Sequence, residues 1–307
     1  MKLKKASLAR AAVMILMAAM LPLGALAGMM GMRGSPEIPI VELTGPTRPL
    51  FVPPVLEADG QEGGARHFTL TAGQGETEFF PGVKTETLGY NGNYLGPTLR
   101  FREGEEVRVT IQNRLTWETT VHWHGMKVPW EVDGHPHNAI AAGEDREMTF
   151  TVRQEAATLW YHPHTLHVTG KQVYRGLAGF LLIEDGSELS ASLPKEYGVD
   201  DVPVAVQDRF FTRDGRTDYQ NAYNPQGTYG NVILANGTPN AEFTATTRLV
   251  RLRLLNGSNA RTYDFTLGDG RSFLQVGTDG GLLDAPFETD SVTLTPGERA
   301  EIVVSLD

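Results

Sequence analysis

The 307-residue chain is 40% hydrophobic and 21% charged, with 34 glycines, 18 prolines and no cysteine. That composition excludes disordered and collagen-like chains and fits a globular protein rich in turns, long enough for two domains. A formal charge of −10 argues against general affinity for nucleic acid or an anionic membrane, and the lack of cysteine removes disulfides, zinc ribbons, iron–sulfur clusters, thiol nucleophiles and the thiolate of a blue-copper centre.

In chain order, Lys2, Lys4, Lys5 and Arg10 precede an apolar run from Ala11 to Leu23, and Ala25-Leu26-Ala27 offers the small residues a signal peptidase reads. Residues 1–27 are read as a secretory signal peptide, because the run is shorter than the roughly 20 residues of a membrane span. Its removal leaves a mature chain near −14, expected in the periplasm or outside the cell and not bound to a membrane. No arginine pair stands in the leader, so export is expected in the unfolded state, with any metal acquired outside the cytoplasm. Residues 28–43 read as a flexible tether, where Met29, Met30 and Met32 are either disordered chain or soft thioether donors for cuprous ion.

Beyond the tether, the pattern is short and two-periodic. His67-Phe68-Thr69-Leu70-Thr71, Leu99 with Phe101, and Val107, Val109 and Ile111 alternate apolar with polar residues, as half-buried strands do. Pro81-Gly82, Asn91-Gly92, Gly96-Pro97 and Gly104 punctuate them. Met148 to Val152 continues the series, and Leu177 to Ile183 is an almost continuous apolar strand suited to a sandwich core. After a polar linker, Glu184 to Asp201, strands are predicted at Val202 to Val206, Leu249 to Leu255, Phe273 to Val276 and Ala300 to Leu306. No helix longer than about two turns is expected. The chain therefore reads as all-β, two consecutive β-sandwiches over residues 44–187 and 188–307.

All eight histidines lie at or before His167, and six fall in three His-x-His units: His122-Trp123-His124, His135-Pro136-His137 and His162-Pro163-His164. On a strand, residues i and i+2 face the same side about 6.5 to 7 Å apart, so one unit can present two imidazoles to one or two metal ions. Imidazole suits copper and zinc. A lone pair of this kind is more often surface decoration; two pairs, each beside a tryptophan (Trp123, Trp160), point to metal. A hydrolytic zinc site would want three ligands and a general base converging on one open position, which strand-borne pairs fit less well than adjacent copper ions.

Thr120-Val121-His122-Trp123-His124-Gly125 and Leu159-Trp160-Tyr161-His162-Pro163-His164 resemble the first two copper motifs of the multicopper oxidases, in the bacterial laccase and cuprous-oxidase branch. Gly89-Tyr90-Asn91-Gly92, Leu95-Gly96-Pro97, Glu131-Val132-Asp133-Gly134, Gly176-Leu177-Ala178-Gly179, Arg251 to Gly257 and Asp279-Gly280-Gly281 resemble the same branch, so the likeness covers nearly the whole mature chain. The resemblance implies Greek-key cupredoxin folds for both sandwiches, copper as cofactor and dioxygen as the acceptor. It implies His122 as a type 2 copper ligand, and His124, His162 and His164 as ligands of the type 3 pair. Asp133 matches an acidic residue that helps deliver protons, its other reading being a turn residue before Gly134. His135 and His137 have no counterpart and read as a solvated loop or an accessory copper-capturing site; His167 reads as a surface residue or one behind the ligands.

Such oxidases have three cupredoxin domains, the third carrying four further cluster histidines and a His–Cys–His motif for the type 1 copper. None of that is in these 307 residues. Two readings compete. One is the N-terminal two-thirds of an oxidase of cuprous ion or phenolic donors, inactive alone, partnered by a missing C-terminal domain or a separate chain. The other is a non-enzymatic exported copper-binding protein, or a scaffold like the copper-free oxidase-like protein of bacterial cell division; retention of all four histidines speaks against the copper-free form.

Overall fold

A computed structural model describes residues 12–13, 17–18, 38–224 and 227–306. The signal peptide expected at 1–27 lies almost wholly outside the described residues, as do Met29, Met30 and Met32.

Alternation builds the first sandwich. In β1 (Ala65–Phe80) and β4 (Glu106–Asn113), Phe68, Leu70, Val107, Val109 and Ile111 are buried, while His67, Thr69 and Thr71 turn outward. β1 runs parallel to β4 and antiparallel to β2 (Val83–Tyr90), and β4 pairs with β6 (Asp145–Thr151), forming one sheet. On its outer face His67 Nε2 lies 2.8 Å from Thr110 Oγ1, a local role.

The facing sheet has the order β3 (Leu99–Arg102), β8 (Gly179–Glu184), β7 (Ala157–His162), β5 (His122–His124). It presents Leu99, Phe101, Trp123, Leu159, Tyr161, Leu181 and Ile183 to the shared core. Every residue of β7 is buried, because its other face is also covered. Trp160, Phe180 and Leu182 pack with Ala205 and Leu255 of the second half in a separate apolar cluster. Burial on both faces explains why the run ending at Ile183 reads as continuously apolar.

In the second half a seven-stranded sheet contains β9 (Asp201–Arg209), β10 (Val232–Ala235), β11 (Leu249–Asn256), β13 (Phe273–Thr278), β14 (Gly281–Thr289) and β16 (Arg299–Ser305). Its valines and leucines pack on Tyr263 and Phe265 of β12 (Tyr263–Thr266) and on Leu294, which ends β15 (Ser291–Leu294). The sequence misses β2, β10, β12, β14 and β15; of these β14 is a largely exposed edge strand, so it carries little burial signal. It also misses the short helix Glu188–Ser192 inside the polar linker, capped by the Ser187 hydroxyl. Among the described residues the longest helix is α1 (Thr169–Tyr174), six residues, and none is long and apolar enough to cross a membrane.

A buried ion network crosses between the halves. Arg253 forks onto both oxygens of Asp201 (2.6 and 2.9 Å) and donates to Thr158 Oγ1 of β7 (2.9 Å). Glu301 accepts from Thr158 Oγ1 (2.6 Å), Arg251 Nε (2.8 Å) and Arg253 Nη1 (3.3 Å). Burial alone would raise the Glu301 carboxyl; Arg253 and Arg251 outweigh it and hold it below the usual carboxylate range.

Candidate metal centre

Register makes the site. β5 and β7 pair antiparallel with His122 opposite His162, Trp123 opposite Tyr161 and His124 opposite Trp160. Cross-strand partners share a face, so His122, His124, His162 and Trp160 emerge on one side. Trp123 and Tyr161 point the other way into the first core, with Trp123 Nε1 donating to Val132 O at 2.9 Å. One ligand nitrogen from each of His122, His124 and His162 lies within 4.8 Å of the other two. Among the described residues this is the group of three or more His, Asp, Glu or Cys that could hold a metal ion.

His164 differs from the strand-borne pair expected from His-x-His spacing. β7 ends at His162, and His164 follows Pro163 outside the strand. Its N–H donates to Thr120 Oγ1 (2.6 Å), and its ring sits 5.2 Å from that of His122 and 6.2 Å from that of His162. It borders the three-histidine group without joining it.

The hydrogen bonds select which nitrogens face a metal. A carbonyl only accepts, so His122 Nδ1–H donates to Asp133 O (2.9 Å) and His162 Nδ1–H donates to Pro163 O (2.7 Å), leaving each Nε2 lone pair for coordination. His162 Nε2 lies 3.1 Å from His124 Nδ1. The Trp160 ring is 4.0 Å from that of His162 and 5.0 Å from that of His124, and walls the group.

Burial favours neutral imidazoles. It lowers His124 to about 4, with Arg299, His122 and His164 adding repulsion, and it pushes the fully enclosed His162 well below its ordinary value. Unprotonated nitrogens are what metal ions need.

Asp133 joins the site: its backbone oxygen accepts from His122, and Oδ1 lies 3.3 Å from His122 Nδ1. The turn that places it requires Gly134, whose φ is +74° and where a Cβ would stand 1.7 Å from Val121 O. His135 and His137 stay on the outer loop, rings 5.5 Å apart, with His135 Nδ1 accepting from His137 N–H. His167 is exposed at φ +64°.

Three contributors escape sequence reading as site residues. Thr120 opens the first motif, but its role as acceptor for the His164 N–H is set by the fold. Arg299 and Gly297 approach His124 from the second half, with only a Pro-Gly turn to mark them.

Two sequence profiles described as multicopper oxidase match residues 71–188 and 200–307. The chain belongs to the multicopper oxidase family. Its similarity extends to multicopper oxidase mco of Staphylococcus haemolyticus, 42% identical over 257 residues that cover 84% of this chain and 57% of that protein. Cell division protein FtsP of Escherichia coli is 39% identical over 263 residues, covering 85% and 55%. The crystal structure of laccase from Pediococcus acidilactici superimposes with a TM-score of 0.82 at 43% identity, over 87% of this chain and 58% of that one. The chain thus spans little more than half the length of these relatives. The cupredoxin sandwich is the fold of the family, and copper is the cofactor membership implies. The donor set fits copper: three converging imidazoles, two of them, His124 and His162, kept neutral by burial, and two, His122 and His162, with their Nδ1 already bonded to a carbonyl.

Proposed function

We propose that the chain holds copper and supplies the first half of the copper-binding apparatus of an exported oxidase of cuprous ion or phenolic donors that reduces dioxygen to water. The convergence of His122, His124 and His162 within 4.8 Å carries this reading. His122 serves as the type 2 ligand, and His124, His162 and His164 serve the type 3 pair. When bound, copper supplies the one-electron steps by which dioxygen is reduced. The chain's own residues orient the ligands: Asp133 O and Pro163 O fix the rings of His122 and His162, Trp160 excludes water from one side, and the Asp133 carboxylate holds or passes a proton beside His122. The 307 residues contain no cysteine to form a type 1 site, so turnover requires a further cupredoxin domain on the same or another polypeptide. Residues 1–27 direct export and 28–43 form the tether; 44–187 and 188–307 act as the two domains.

Metal analysis after dialysis tests the reading. The chain is expected to retain copper in preference to zinc, His162→Ala to lose it, and neither form to oxidise phenols or show a blue band near 600 nm. Zinc alone, or copper retained unchanged by H162A, would overturn it. The 39% identity to cell division protein FtsP favours a second reading, a non-enzymatic exported copper-binding or scaffold protein. A metal-free chain as purified from its native source would favour that scaffold.

A further inference from the structure

The second half of the chain carries no histidine, yet it reaches the metal-binding face. The turn before β16 brings Gly297, at φ +87°, so close that a Cβ there would stand 3.4 Å from His124 Cε1 and 3.7 Å from Trp160. Two residues on, Arg299 is buried, and its Nη2 lies 2.7 Å from where a Cβ would stand on Gly125, the residue after His124. The guanidinium is fixed: Nε donates to Thr158 O of β7 (3.1 Å), Nη1 to Gly297 O (3.0 Å), and Nη2 to Asp279 O (2.8 Å). Asp279 Oδ1, on a half-exposed side chain, pairs with Nη1 at 3.1 Å and accepts from the Arg299 N–H at 2.6 Å.

A cation held in a water-poor site repels a divalent ion more strongly than a monovalent one. We infer that Arg299 is a positioning residue whose buried charge, moderated by Asp279, biases the histidine site toward cuprous over cupric ion. The inference rests on the copper reading above. Through Thr158 O, the same side chain holds the strand that ends in His162. A purely structural role would change both affinities together; a charge changes their ratio.

The test uses the 307-residue chain in two competition titrations, cupric ion in air and cuprous ion without oxygen, each against a chelator of known affinity. Arg299→Met is expected to lower the cuprous-to-cupric ratio of association constants by about three- to tenfold. Arg299→Lys keeps the ratio, and Asp279→Asn, which unmasks the arginine, raises it. Asp279 is half-exposed, so D279N decides the matter if R299M does not fold. Ratios within twofold of the parent in the folded variants overturn the inference while leaving the copper reading intact. A parent chain that binds neither ion sinks both.

Discussion

Replacing Glu301 with alanine removes the acid at the centre of the buried network. The carboxylate is fully buried and takes hydrogen bonds from Thr158, Arg251 and Arg253. Without it Arg253 keeps its fork on Asp201, but Arg251 loses both hydrogen bonds shown from its side chain, and Thr158 Oγ1 loses its acceptor. Leaving one buried charge without its partner costs about 3–5 kcal/mol, a large part of the 5–15 kcal/mol typical of a domain. At a urea slope of about 1–3 kcal/mol/M, the unfolding midpoint should fall by at least about 1 M, read by tryptophan fluorescence and far-UV circular dichroism. The acid limb follows with its sign. The native Glu301 sits below the ordinary 4.5, so its contribution is full above that pH and is lost as pH falls through the native value. E301A should therefore lose this part of the acid sensitivity of the parent. A cost under about 1 kcal/mol would refute the view that this network joins the halves.

Gly134→Ala should destabilise by at least about 2 kcal/mol in thermal melts, since both its positive φ and the Val121 carbonyl oppose a side chain; a neutral result would show that the Asp133 turn relaxes freely. In NMR titration His124 should stay neutral to a midpoint near 4. The unfolded chain then binds that proton more tightly, so this group's contribution is full above about 6.5 and declines as pH falls toward 4; a midpoint above 6 contradicts the burial argument. His135→Ala with His137→Ala should leave retained copper unchanged, measured after dialysis, because neither residue belongs to the three-histidine group. Cupric ion should quench the fluorescence of Trp160, whose ring is 4.0 Å from His162; Trp160→Phe should remove most of the quenched signal, and equal quenching in both forms would place the ion elsewhere.

Much was legible in the residues because strands leave a local record. Phe68, Leu70, Val107 and Val109 alternate as one face of a sheet buries them, and paired His-x-His units beside tryptophans mark copper chemistry. Where the environment is mixed, the record weakens. β14 is an exposed edge, and the linker helix at Glu188–Ser192 buries no residue, so neither shows a clear period. His164 fits a strand spacing on paper, but Pro163 follows the last residue of β7 and carries it off the sheet.

Sequence alone determined the all-β class, the two successive sandwiches, the family likeness and the four histidines with Asp133 as candidates, since these depend on residue type and short-range spacing. Tertiary structure decided that His122 faces His162 across β5 and β7, that three imidazoles converge while His164 stands aside, and that Arg299 reaches His124 from the other half. Those outcomes depend on strand register and on desolvation between segments far apart in the chain. Neither leaves a trace in the local pattern, because the partner that supplies the contact, the charge or the exclusion of water is chosen only when the two sandwiches pack.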